Sequence, residues 1–152
     1  MNTYIRLCAV SAMLLSLGAH AADIRVEHAW ARATAPGQDT AMVDLTITSA
    51  HRATLVGFSS KVCESAEMHS MTQKDGMMKM REVDSIDLPR GSMSLEKSGY
   101  HLMLVGLHSQ LKEGERVPLT LDVREDGRDI RVKVIAEVRP LTAVMDKSMP
   151  GM

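Results

Sequence analysis

The chain has 152 residues, 45% of them hydrophobic and 24% charged, which suits a single globular domain with its own core. Its formal net charge of −1 and its lack of a basic stripe exclude binding to nucleic acid or anionic membranes through clustered positive charge. Of its two cysteines, Cys8 lies in the N-terminal segment that we expect to be removed, which leaves Cys63 alone and excludes a disulfide framework.

The first 21 residues have the layout of a secretory signal peptide. Arg6 precedes an apolar run from Leu7 to Leu17, and Ala19-His20-Ala21 forms a small-x-small cleavage site. The apolar run is too short to span a bilayer, and Cys8 does not lie at the cleavage point, where a lipid anchor would need it. We therefore expect cleavage near Ala21 and a periplasmic protein without a membrane anchor.

The alternation typical of half-buried β-strands runs through residues 22–140. Turn sequences such as Asp75-Gly76 and Asp126-Gly127 separate the alternating stretches. Seven to nine short strands are expected, which predicts one all-β domain, an antiparallel sandwich or barrel. In the clearest stretches, residues 43–47, 119–123 and 130–138, every second residue is hydrophobic. In residues 24–30 the same alternation is formed by Ile24, Val26, His28 and Trp30.

The end of the chain has a different character. Residues 141–152 contain Met145, Met149 and Met152 but no strand pattern. We interpret this segment as a flexible, methionine-containing tail.

A methionine cluster occupies the middle of the chain, in the segment EMHSMTQKDGMMKMR at residues 67–81. Five methionines and one histidine lie between Met68 and Met80. Methionine fills cores well, so packing is the ordinary interpretation of any one of them. Their polar neighbours (Ser, Thr, Gln and Lys) make this a poor core strand and favour a role for the group as a whole.

Asp75-Gly76 predicts a type I′ hairpin, which fixes a register across the cluster. Met71 then faces Met80 directly, and Met68 points to the opposite face, where core packing is expected. The other predicted pairs are Lys74 with Met77, Gln73 with Met78 and His69 with Glu82. One face of the hairpin would thus carry His69, Met71, Met78 and Met80.

Imidazole and thioether together form a ligand set that suits Cu(I), because thioether sulfur is soft, neutral and needs no deprotonation. A second pair, His101 and Met103 in GYHLMLVGL, shares a face if that segment is extended. We therefore predict a Cu(I) site without thiolate or carboxylate. Its ligands would be His69, Met80, His101 and Met103, with Met71, Met78 and Met68 in reserve.

The segments EMHSM, GMMKMREV, LPRG and GYHLMLVGL resemble the PCuAC family of periplasmic copper chaperones, over residues 22–140. The resemblance implies a cupredoxin-like fold and Cu(I) ligands at His69, Met80, His101 and Met103. The gap between Met80 and His101 is one residue shorter here than in that family. The resemblance further implies transfer of copper to respiratory terminal oxidases, with an oxidase subunit and a thioredoxin-like assembly protein as partners.

Two other classes remain open on the sequence. An electron-transfer cupredoxin would need a thiolate, and Cys63 with His69 and Met71 invites that comparison. Blue-copper ligands cluster on one late loop, however, whereas Cys63 lies mid-chain in an expected strand. A metal-free interaction module is the other class. No catalytic constellation stands out, so we expect no enzyme, and we expect a monomer, with a copper-bridged dimer as the alternative.

Overall fold

The structure is a computed structural model, and it describes residues 23–142. The predicted signal peptide and residues 143–152 of the predicted tail lie outside this range. A 3₁₀ helix spans Glu96–Ser98. The ten strands are β1 (Ile24–Arg32), β2 (Thr40–Ser49), β3 (Ala53–Ser60), β4 (Cys63–Lys74), β5 (Met77–Glu82), β6 (Ile86–Leu88), β7 (Gly91–Ser94), β8 (Tyr100–Leu107), β9 (Arg116–Glu125) and β10 (Arg128–Arg139).

The strands form one curled sheet in the order β5-β4-β8-β2-β1-β10-β9-β3-β6, and β7 extends the pairing along β2. The predicted all-β, single-domain fold is confirmed. Residues 23–142 contain ten strands where seven to nine were predicted, because β6 and β7 are only three and four residues long and too short to show an alternation. Among residues 23–142, no helix has the length and hydrophobicity needed to cross a membrane.

Neighbouring strands pair antiparallel throughout the described residues, with the exception of β1 and β10. These two run parallel, with Trp30 opposite Glu137. Strand β1 is also paired with β2, so it lies between the second strand and the last strand of the domain. The predicted antiparallel sandwich thus contains one parallel pair, which the local sequence pattern does not reveal.

Alternation along the strands builds the core. In β2 the inward side chains are buried while Met42, Asp44 and Thr46 face outward. Each large apolar side chain that is fully buried contributes about 1.5–3 kcal/mol through the hydrophobic effect. Trp30 and Phe58 are also buried. Strands β2, β8 and β9 supply much of the core, with Val43, Leu45, Ile47, Leu102, Leu104, Leu119, Leu121 and Val123.

The β4–β5 hairpin has the predicted geometry. Asp75 and Gly76 have φ angles of 54° and 76°, as a type I′ turn requires, and Gly76 adopts this conformation without strain. Met71 is opposite Met80, and the remaining pairs also match the prediction. Strand β5 forms one edge of the sheet, and all six of its residues are exposed.

Candidate metal centre

The centre is built around two histidines on neighbouring strands. Strands β4 and β8 pair antiparallel in a register that places His69 directly opposite His101. Directly opposite residues have their Cβ atoms about 4.5–5.5 Å apart, on the same face of the sheet. The pairing of β4 with β8 therefore brings together two side chains that are far apart in the sequence.

Met103 lies beside this histidine pair. It is two residues from His101 on β8, so it shares the same face. It is flanked by Glu67 on β4 and by Met42 on β2, each directly opposite Met103 in its own pairing. Neither Met42 nor Glu67 was predicted as part of the site.

Met71 and Met80 lie on the other flank of the histidine pair. The Met71 amide donates a hydrogen bond to the Gly99 carbonyl at 2.7 Å, so Met71 is diagonally across from His101. Met80 is one strand further away, opposite Met71 on β5, and 53% of it is exposed. The backbone thus places Met71, predicted as a reserve ligand, closer to the histidines than Met80. A Met80 ligand would have to extend its flexible side chain across β4.

The remaining reserve ligands are divided between the two faces. Met78 lies nearer the hairpin turn and is 60% exposed. Met68 belongs to the core, where it is directly opposite Leu102, and its predicted packing role is confirmed. The outer face of β2, β8, β4 and β5 carries a continuous group of nitrogen and sulfur side chains, here called the donor face: Met42, His69, Met71, Met78, Met80, His101 and Met103.

Two ring nitrogens on the donor face have no hydrogen-bond partner. The Nδ1 atoms of His69 and His101 are both shielded from solvent and unpaired. A buried polar atom without a partner costs about 1–3 kcal/mol, so two such atoms on facing residues suggest a missing ligand. A soft metal ion would satisfy both nitrogens. Imidazole and thioether, the side chains present, are donors that copper accepts.

A site made of harder ligands is not present in the described part of the chain. Within residues 23–142, no group of three or more His, Cys, Asp or Glu side chains is arranged to hold a metal ion. The side chains that share the outer face with the histidine pair include the thioethers of Met71 and Met103. Thioether sulfur is a soft donor, which suits copper better than Zn²⁺ or Mg²⁺.

Comparison with known proteins assigns the family. The sequence model of the family described as putative lipoprotein LpqE-like matches residues 24–136. The chain belongs to this LpqE-like family. The putative lipoprotein Lxx21020 of Leifsonia xyli subsp. xyli (strain CTCB07) is 33% identical over 106 residues, which make up 68% of this chain. The match spans 64% of that relative, somewhat less than two thirds of its length.

Solved PCuAC domains have the same fold as this LpqE-like chain. The apo PCuAC domain from PmoF1 has a TM-score of 0.63 and 23% identity, covering 78% of this chain and 94% of that domain. The copper-bound PCuAC domain from PmoF2 has a TM-score of 0.57 and 22% identity, covering 77% and 94%. The predicted resemblance to PCuAC proteins is thus confirmed, and at these identities what the solved domains share with this chain is the fold.

Cys63 does not belong to the donor face. It is six residues before His69 on β4, roughly 20 Å along an extended strand. Cys63 lies in the core, close to the point where Gly106, beside Glu64, has a φ of 70°. Burial raises the pKa of the Cys63 thiol, and a hydrogen bond with the Val105 backbone lowers it by less. A buried thiol that resists ionisation does not suit a blue-copper ligand.

Alkylation measures this property of Cys63 directly. We expect iodoacetamide to react with Cys63 in the folded protein at pH 8 at least about tenfold more slowly than in the urea-unfolded chain, because the folded thiol is both shielded and protonated. The Cys63 thiol holds its proton more tightly in the folded protein. Its contribution to stability is therefore complete below the pKa of this thiol in the unfolded chain, and it declines as pH rises through the pKa in the folded protein.

Cys63→Ser should leave copper uptake unchanged. An intense visible thiolate-to-Cu(II) band that disappears in this variant would instead indicate a cupredoxin centre.

A cavity in the described residues is lined by parts of β1, β2 and β7 and by the 3₁₀ helix, and its lining contains none of the predicted ligands. Its volume is about 580 Å³, and its lining includes Trp30, Asp44 and Glu96. The guanidinium of Arg139 lies 5.3 Å from the centre of the Trp30 ring. A metal held between side chains on a sheet surface needs no such cavity, so we place the centre at the histidine pair.

Proposed function

We propose that this LpqE-like chain is a periplasmic metallochaperone that binds Cu(I) and passes it on by ligand exchange. The observation that carries the proposal is the facing pair His69 and His101, each with a buried, unpartnered Nδ1, flanked by thioethers on an open sheet face. The solved PmoF2 domain with the same fold is copper-bound, which supports copper as the metal.

The ligands proposed for Cu(I) are His69, Met80, His101 and Met103, with Met71 and Met78 available for exchange. Neutral thioethers favour the +1 oxidation state, because they stabilise a soft ion without adding charge. They also withstand an oxidising compartment, where a free dithiol would become a disulfide. The resulting site binds Cu(I) less tightly than a site made of several thiolate ligands would.

The open geometry of the donor face favours release over catalysis. Met80 and Met78 are more than half exposed on an edge strand, so a partner's ligands can approach and replace them one at a time. We therefore propose a carrier with no enzymatic activity. Its acceptor would be a copper-binding subunit of a respiratory terminal oxidase, assisted by a thioredoxin-like assembly protein.

The location proposed for this function is the periplasm. The layout of residues 1–21 supports export, as does the description of both the matched family and the Leifsonia protein as putative lipoproteins. We propose that the protein acts there as a monomer, with a copper-bridged dimer as the alternative.

An anaerobic competition experiment tests the proposal. The exported protein should take one equivalent of Cu(I) from a moderate chelator, and it should then load the isolated copper domain of an oxidase subunit. Copper in each protein is measured after separation. Failure to take Cu(I) from the chelator would favour the metal-free interaction module. Uptake without transfer to the oxidase domain would leave a copper carrier with a different acceptor.

A further inference from the structure

Glu67 is the only residue in the described chain whose side chain forms a hydrogen bond with a proposed copper ligand. Its Oε2 lies 2.9 Å from Nε2 of His69. Both side chains are substantially shielded, with 17% of the His69 side chain and 32% of the Glu67 side chain exposed. This contact is better protected than the other ion pairs of the described residues, which lie on exposed side chains.

We propose that Glu67 is a positioning residue, which holds His69 in the tautomer that presents Nδ1 to copper. This inference rests on the proposed function, because it concerns how the copper ligand is prepared. It makes Glu67 part of the site, although the carboxylate itself need not touch the metal.

The argument begins with the chemistry of the hydrogen bond. An ionised carboxylate can only accept, so Nε2 of His69 must donate its hydrogen to Glu67. In the neutral imidazole the other nitrogen, Nδ1, then carries the free lone pair. That atom is the buried, unpartnered nitrogen described above. The hydrogen bond at Nε2 and the burial of the unpaired Nδ1 therefore agree on the coordinating atom.

The register supports this assignment. His101 is directly opposite His69, and its own buried, unpartnered nitrogen is also Nδ1. Ligand histidines in metalloproteins usually donate their second N–H to a carboxylate or carbonyl, which fixes the ring orientation and raises the basicity of the ligand. Glu67 is in the right place to do this for His69.

Glu82 provides a matched control. It is also a glutamate, it lies on the same face, and it is directly opposite His69 on β5. It is exposed, however, and makes no hydrogen bond with His69 in the described structure. Glu67→Ala removes a negative charge from β4, the strand that carries His69, and Glu82→Ala removes one from the neighbouring strand β5. Only Glu67→Ala also removes the hydrogen bond with His69.

The experiment combines two readouts on the wild type, Glu67→Ala, Glu67→Gln and Glu82→Ala. The first is ¹⁵N NMR of the imidazoles in the metal-free protein at pH 8, which reports the tautomer of each histidine. The second is Cu(I) affinity measured against a competing chelator. In the wild type we expect His69 to carry its proton on Nε2, and Cu(I) to perturb the Nδ1 resonance.

In Glu67→Ala we expect His69 to lose its single tautomer and Cu(I) affinity to fall about 10- to 100-fold. Glu67→Gln should retain the tautomer, because its amide oxygen also accepts a hydrogen bond, and should recover much of the affinity. Glu82→Ala should behave as the wild type.

Equal losses of Cu(I) affinity in Glu67→Ala and Glu82→Ala would overturn the inference in favour of a general charge effect. A wild type that binds Cu(I) through Nε2, or a Glu67→Ala variant with unchanged tautomer and affinity, would also overturn it. If the wild type bound no Cu(I), the proposed function itself would fail.

Discussion

Replacing His101 and Met103 together with alanine should abolish tight Cu(I) binding. Both residues are on β8 with their side chains on the donor face, while Leu102 and Leu104 between and beside them remain in the core. The double variant thus removes one imidazole and one thioether without removing any buried apolar side chain. We expect the affinity to fall by at least about 100-fold, or roughly 2.8 kcal/mol, as measured by anaerobic competition with a chelator.

A matched control for this variant is His51→Ala/Met77→Ala. It removes the same two side-chain types from exposed positions, one in the β2–β3 turn and one on the opposite face of β5. It should bind Cu(I) as tightly as the wild type. Retention of one tight equivalent by the His101→Ala/Met103→Ala variant would show that the methionine hairpin or another part of the chain holds the metal.

Two methionines on the same hairpin should respond in opposite ways to replacement with alanine. Met68 is 5% exposed and packs in the core, whereas Met80 is 53% exposed on the edge strand. Met68→Ala should lower the free energy of unfolding of the metal-free protein by about 2–5 kcal/mol, because it leaves a cavity. Met80→Ala should change that free energy by no more than about 0.5 kcal/mol, yet weaken Cu(I) binding.

Urea unfolding and the chelator competition measure the two effects separately. A Met68→Leu variant conserves volume and should cost less than about 1.5 kcal/mol, which keeps the protein folded for the binding assay. Its Cu(I) affinity should equal that of the wild type, because Met68 faces away from the metal. A loss of affinity in Met68→Leu would mean that Met68 is a ligand after all. An unchanged Cu(I) affinity in Met80→Ala would show that Met80 is not a ligand and would favour Met71, which the backbone places closer to the histidines, in its place.

The parts of the site that were predictable depend on local geometry. A two-residue Asp75-Gly76 turn permits essentially one register, so the Met71–Met80 pair followed from the sequence. The shared face of His101 and Met103 followed from the period of two in an extended strand. The inward position of Met68 came from the same alternation.

The parts that could not be predicted depend on which strands become neighbours. His69 faces His101 only because β4 and β8 are neighbours in the sheet, although β5, β6 and β7 separate them in the sequence. Met42 reaches the site because β2 lies on the other side of β8, and no pattern around residue 42 indicates this. The hydrogen bond from His69 to Glu67 depends on side-chain conformation. A clue was nevertheless present, since residues 67 and 69 share a face of an extended strand.

The parallel pairing of β1 with β10 affects how the domain is completed during folding. If the chain is exported as proposed, it emerges from the translocation channel starting at its N-terminus. Strand β1 then cannot complete its pairing between β2 and β10 until the last strand has emerged. Contacts this distant in sequence form slowly. Until then β1 and β9 keep unpaired edges, which are templates for association with other chains. A chain truncated before Arg128, which lacks the whole of β10, would therefore be prone to aggregate, even though all four strands of the donor face were present.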